Sequence, residues 1–248
     1  CGPAGERVRA SLTDWNEVIM RLILILMLVA PFGVFCLMLT LFSNMGFTAF
    51  ADLIKYFMTV AGILILHFFL TYSMMVRFVA GLNPIRFYKN FLPVMAYAFS
   101  TSSSNATLPV TLETVEYRLG VRNEVASFTV PLGATINMDG TAIMQGVATV
   151  FIAQAYNIDI GMTEYLMVVL TATLASIGTA GVPGVGLITL ALVLQQVGLP
   201  VEGIALIIGV DRLLDMMRTA VNVSGDAAVA TIVAKSEDRF NREVFDRD

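Results

Sequence analysis

The sequence predicts an all-α membrane protein in which transmembrane helices are combined with two re-entrant helical hairpins. Three observations predict it. The chain is 57% hydrophobic and only 14% charged, with a mean hydropathy of +0.78, well above the apolar share of a soluble domain. Two short apolar hairpins carry polar or glycine-rich tips where mid-membrane would be. The last apolar segment gathers its charges on one face. The net charge of −4 is small, and no basic stripe suggests a nucleic-acid partner. Cys1 and Cys36 have no metal-ligand spacing, so the redox compartment is not readable. The first residue is not Met and no signal peptide precedes the polar start, which leads us to expect an N-terminally incomplete chain.

Residues 1–17 are polar and include Arg7 and Arg9. A first span is expected from Ile19 to Phe42, long enough for a hydrocarbon core of about 30 Å. Pro31 and Gly33 should kink it, and Ser43 to Gly46 should form a loop. A second span runs from Phe57 to Val76 and holds His67, the only histidine. Its expected role is a packed histidine bonded to a neighbouring helix; a proton-carrying role stays open. Arg77, Arg86 and Lys89 then form a basic patch, with Pro84 breaking the helix. From Phe91 to Leu119 two short arms flank the hydroxyl-rich tip Ser100–Thr107. Backbone at that depth is tolerated only where protein buries it or a cavity is lined by it, so a re-entrant hairpin is predicted.

The apolar segment Glu124–Tyr156 is interrupted by Asn137-Met138-Asp139-Gly140-Thr141. A broken helix there would offer free carbonyls and half-helix ends to ions. A second hairpin, Glu164–Val197, has the tip Ser176–Gly184, whose glycines and Pro183 cannot stay helical. The last span covers Ile204 to Val233. Within it, at about 100° per residue, Asp211, Asp215, Arg218, Asn222 and Asp226 fall in an arc of roughly 80°. Ionisable groups inside a membrane face a bundle interior or a watery cavity. Three carboxylates against one guanidinium call for bound cations, and the arginine is free to hold an anionic group of a solute.

A hairpin followed by an interrupted polar helix occurs twice: Ser103 precedes Asn137 by 34 residues, and Gly181 precedes Asp215 by 34. That spacing suggests an internal repeat. No Lys or Arg occurs between Asn123 and Asp211. The positive-inside rule therefore brings the first hairpin in from the cytoplasm and the second from outside. An inverted repeat meeting at mid-membrane is the arrangement of a secondary transporter.

Four motifs follow in order: the serine-rich tip with Thr107-Leu108-Pro109, then NMDGT at 137–141, SIGTAGVPG at 176–184, and DMMRTAVNVSGD at 215–226. With them the chain resembles the glutamate transporter family, the dicarboxylate/amino acid:cation symporters, over about Glu17 to Glu237. The resemblance implies a homotrimer of static scaffolds and mobile transport domains that move as elevators in the plasma (inner) membrane. Residues 18–48 would be a scaffold-type helix, 49–235 the transport domain and 236–248 a polar cytoplasmic tail. Further helices of the family precede the part matched, and one of them contributes to an ion site.

By the same resemblance Arg218, helped by Thr141, would take a substrate's distal carboxylate, and Asp215 its ammonium. Asn222 and the backbone at Ser103 and Ser104 would hold the α-carboxylate, with Thr219 alongside and Gly181 and Val182 closing over it. Having both Arg218 and Asp215 implies an acidic amino acid, aspartate or glutamate. Sodium ions, with no organic cofactor, would occupy three sites. The first comprises Gly133, Asn137, Asn222 and Asp226; the second Thr135, Met138, Ser176, Ile177 and Thr179; the third Asp139 with Asn137. The sequence departs from the family at Ser102, where many prokaryotic relatives carry arginine, and at Met216, where animal relatives do. Arg212 lies nearby but points roughly 100° from Asp211. Two other readings remain: a proton-coupled dicarboxylate or amino acid carrier, and a ligand-gated ion channel. No nucleophile–base pair or metal-ligand set suggests an enzyme.

Overall fold

The structure, a computed structural model, describes residues 2–45, 48–177 and 179–247. Its elements are α-helices with short tight or wide turns, and among the described residues there is no strand beyond an isolated bridge between Val121 and Phe240. Helix α1, Gly2–Met45, carries the polar start and the first span in one element. The loop expected at Ser43–Gly46 is helical up to Met45; Gly46 falls outside the described residues.

Helix α2, Thr48–His67, is prolonged by two wider π turns, Phe68–Tyr72 and Met75–Val79. Among the described residues this is the one stretch, Ala51–Val79, long and apolar enough to cross a membrane by length and composition. Asn83 then caps α3, Pro84–Thr101, accepting from the Ile85 amide at 3.0 Å. Pro84 is a first-turn proline, where its missing N–H costs nothing.

The first hairpin is α3 with α4, Ser104–Tyr117. Its non-helical tip is shorter than expected, only Ser102 and Ser103. Ser102 takes a left-handed conformation with φ of 52°, and Ser103 caps α4 by accepting from Ala106 N at 3.1 Å. The predicted break is real and brief. Helix α5, Asn123–Ile136, stops at Asn137 and Met138, and α6, Asp139–Ala155, starts directly after. Gly140 is helical; its role is closeness, since a Cβ there would meet Asn222 Oδ1 at 2.9 Å and Arg218 O at 3.0 Å.

The second hairpin pairs α7, Met162–Ser176, with α8, Val185–Gln196, through the predicted glycine-rich tip. A 3₁₀ turn, Val201–Leu206, leads into α9, Ile208–Ser236. Here the expectation of a second interrupted helix fails. Helix α9 is continuous over 29 residues, because its polar side chains lie on one face and leave the backbone ladder intact.

The long helix α9 is the axis of the molecule, packing against α2, α3, α4, α5 and α6. Two apolar cores flank it. One gathers Tyr56, Leu64, Met144, Leu190, Leu214 and Val221; the other gathers Phe87, Phe91, Val115, Val130, Ala227 and Phe245. The polar cluster lies where these cores meet. Outside, Leu66, Phe69, Leu166, Val169, Leu170 and Ile188 are exposed. Apolar side chains outward and charges inward invert the pattern of a water-soluble domain.

The segment after α9, a polar tail by composition, is docked onto the helices. Phe245, in the short helix α10, Arg242–Phe245, is 1% exposed. Asn90 Nδ2 donates to Phe245 O at 3.0 Å, and Asn241 N donates to Gly120 O at 2.7 Å. Gly120 has φ of 75°, and a Cβ there would collide with Asn241 O. Burial of one aromatic ring against the base of the first hairpin outweighs the polar composition around it.

Candidate functional site

The predicted face of α9 is buried in full. Asp211, Asp215, Arg218, Asn222 and Asp226 are all at most 9% exposed. Arg218 Nη1 donates to Asp211 Oδ1 at 2.6 Å, and Nη2 donates to Asp215 Oδ1 at 2.9 Å. The spacings of seven and three residues stack all three side chains on one side of the helix. Buried charges are tolerated when paired in this way. Asp211 was legible on the polar face but absent from the expected ligand set; it is the shorter of the two partners.

Around this pair the two hairpin tips meet. Ser103 Oγ donates to Gly181 O at 2.7 Å, and Asn105 N donates to the same oxygen at 3.1 Å. A Cβ on Gly181 would lie 3.0 Å from both Ser104 Cβ and Asn105 Oδ1, so the absent side chain permits the contact. Gly184, with φ of 78°, donates its N–H to Asp215 Oδ2 at 3.0 Å. The second tip is thus tied to both the first tip and α9.

Between them lies a cavity of about 20 Å³ lined by Ser102, Ser104, Thr141, Gly181, Val182, Asp215, Thr219 and Asn222. Arg218 borders it across Gly186, whose Cβ would stand 3.4 Å from Nη2. So the expected substrate-binding residues converge, with Ser103 acting as the clamp between tips rather than as lining. That volume suits about one water molecule, so a larger solute needs the tips to part. Ser102 is 2% exposed and its hydroxyl has no hydrogen-bond partner among the described residues.

Beneath the cavity the broken helix meets α9. Asn137 Nδ2 donates to Asp226 Oδ1 at 2.9 Å and to Asn222 O at 3.2 Å. A Cβ on Gly133 would sit 2.5 Å from Asp226 Oδ1, so the carboxylate lies directly on that backbone. Asn222 Oδ1 accepts from Gly140 N at 2.8 Å. Gly133, Asn137, Asn222 and Asp226 are therefore brought together. Among the described residues no three His, Cys, Asp or Glu side chains converge. Asp226 and the Asn222 carbonyl offer oxygens that suit a hard cation, whereas Asn137 presents its Nδ2 to both and would have to turn its Oδ1 inward to join them.

The other two expected cation sets are less gathered. Met138 and Thr179 line the same cavity, and Ser176 is buried. Thr135 and Ile177 are exposed, and Thr135 Oγ1 donates back to Pro131 O at 3.2 Å. Asp139 bonds to groups on the α2 side rather than to Asn137. Its Oδ2 accepts from Tyr72 Oη at 2.5 Å and lies 2.7 Å from His67 Nε2, while Oδ1 accepts from Gly140 N at 2.9 Å. His67 is thus bonded to a neighbouring helix, as expected. Tyr72 was missed, because no motif marks it.

The family model for the sodium:dicarboxylate symporter family matches residues 1–236. The chain belongs to that family. It is 43% identical over 220 residues to an excitatory amino acid transporter of Caenorhabditis elegans, covering 88% of the chain and 44% of that relative. It is 40% identical over 232 residues to excitatory amino acid transporter 1 of Homo sapiens, covering 92% and 43%. Against excitatory amino acid transporter 2 of Mus musculus the identity is 40% over 245 residues, covering 95% and 43%. The chain therefore spans less than half the length of these relatives. The family is one of symporters, and the helical architecture of the chain agrees with it.

Proposed function

We propose that the protein is a secondary active symporter that moves an acidic amino acid, aspartate or glutamate, together with sodium ions by an elevator movement. The observation that carries this reading is one buried guanidinium, Arg218, beside a cavity closed by two tips and seated on an oxygen cluster. A guanidinium matches a carboxylate with two parallel hydrogen bonds. The substrate's distal carboxylate would take Nη2 from Asp215, releasing that aspartate to pair with the substrate's ammonium. Asn222 and the amides at Ser103 and Ser104 would hold the α-carboxylate. Thr141, Thr219, Gly181 and Val182 would complete the wall. Sodium would sit at Gly133, Asn137, Asn222 and Asp226, at Thr135, Met138, Ser176, Ile177 and Thr179, and at Asp139. No organic cofactor enters this scheme.

In the same reading 18–48 serves as scaffold and 49–235 as the transport domain, with both hairpins re-entrant in an inverted repeat. The protein is a homotrimer in the lipid of the plasma membrane. The outward apolar faces and inward charges support a bilayer location. A proton-coupled carrier is the second reading, favoured by the His67–Asp139 contact. Uptake of radiolabelled aspartate into proteoliposomes, driven in turn by sodium, potassium or proton gradients, separates the two. Accumulation driven by sodium alone is expected. Uptake that follows the proton gradient and ignores sodium would replace this reading with the second one.

A further inference from the structure

The hydroxyl of Tyr72 has one proton and two acceptors. Oη lies 2.5 Å from Asp139 Oδ2 and 3.0 Å from Val221 O. Tyr72 is 2% exposed, so bulk water does not compete for the hydroxyl. The π turn Phe68–Tyr72 sets this up. In an α-helix residues five apart stand about 140° apart, at roughly 100° per residue. A π turn closes onto the fifth residue and brings them over one another, so His67 and Tyr72 reach the same carboxylate oxygen. On the α9 side, Gly225 makes the room. A Cβ there would meet Tyr72 Oη at 2.7 Å and Asn137 Nδ2 at 2.5 Å. The phenol oxygen therefore sits beside both the Asn137–Asp226 pair and Asp139, the two places the broken helix offers to cations.

We propose that Tyr72 is a cation ligand with two hydroxyl positions, one for the empty site and one for the loaded site. In the empty position its proton goes to Asp139 Oδ2. When a sodium-sized cation arrives at Asp139, the proton turns to Val221 O, and a phenol lone pair faces the ion. No bond to hydrogen is broken, so no proton is taken up or released in this step. The turn also links the ion to α9 through the Val221 carbonyl, one residue before Asn222 of the substrate cavity. This inference rests on the sodium reading given above.

The test measures sodium-dependent thermal stabilisation of the purified protein, with choline keeping ionic strength constant, for the native chain and for Tyr72→Phe. The phenylalanine keeps the ring in the core and removes only the oxygen. Losing such a group should weaken sodium binding by about tenfold. Gly225→Ala, which crowds the hydroxyl without removing it, should also weaken sodium binding although alanine is the better helix former. A sodium-loaded structure of the native protein should place the Tyr72 oxygen at bonding distance from the ion. Tyr72→Phe with a native sodium affinity, or a loaded structure with Tyr72 still donating to Asp139, overturns the assignment. A native protein that sodium does not stabilise at all overturns the sodium reading itself, and this inference with it.

Discussion

Arg218 holds two carboxylates with one guanidinium, and that arrangement fixes what its removal should do. Arg218→Ala leaves Asp211 and Asp215 buried without their counter-charge. Breaking a buried pair costs about 3–5 kcal/mol, or about two to four decades in affinity. Binding of aspartate should fall by that much, while binding of serine, which has no distal carboxylate, should fall far less. Calorimetry with both ligands checks this, and an equal loss for both removes the carboxylate role. The melting temperature should fall as well, since the two anions repel one another. This part of the site was legible because a helical period is local. Asp211 to Asp226 needed only the spacing of one segment to declare a common face. Tyr72 was not legible, because its position depends on a π turn that no residue type announces and on a glycine more than two elements away.

The second hairpin tip is held by three hydrogen bonds, from Ser103, Asn105 and Gly184, and it is the element expected to open. Ala180 and Val182 both line the cavity, but Ala180 is exposed even with the tips joined whereas Val182 is half-buried. A cysteine at Ala180, exposed at the rim of the cavity, should react with an impermeant thiol reagent without ligand and be only partly protected by substrate plus sodium. A cysteine at Val182 should be protected by substrate plus sodium. Identical labelling at both positions under both conditions would mean the tip is not a gate. The glycines of this tip were readable as non-helical, but what they approach was not. The short first tip is the converse case: its serines read as a loop, yet Ser104 to Thr107 start a helix because Ser103 caps it. The segment after α9 offers a pH test. Asp246 accepts from Arg86 at 2.9 Å and from Arg242 at 3.3 Å, and the Arg86 hydrogen bond chiefly holds its carboxyl below the usual range. A lowered value means the docked state is favoured once the group is ionised, and that this help is lost as pH falls through the lowered value. Protection factors for amide exchange at 240–246, corrected for the intrinsic rate at each pH, should stay high at neutral pH and fall below about pH 4. Unchanged protection there would show that Phe245 alone holds the segment.

At the scale of the whole molecule, the substrate and cation sites proposed above would share Asn222. Its side-chain oxygen accepts from Gly140, its backbone oxygen accepts from Asn137, and the residue lines the cavity. In the proposed scheme a cation at Asp226 would fix a group that also faces the substrate, and by linkage each ligand would then raise the affinity of the other equally. Aspartate dissociation constants measured at low and high sodium should fall steeply with sodium, by a coupling of about 1–3 kcal/mol. Asp226→Asn should flatten that dependence while sparing the Arg218 contact. The docked segment carries a different lesson, about synthesis. Phe245 and Asn90 lie 155 residues apart in sequence, and the ring closes the base of the first hairpin. That hairpin emerges from the ribosome long before its closing piece does. Its base must wait with an open apolar pocket until translation has passed α9. A nascent chain stalled at Ser236 should present this base to proteases that the released chain resists, and the order of assembly is then second hairpin first.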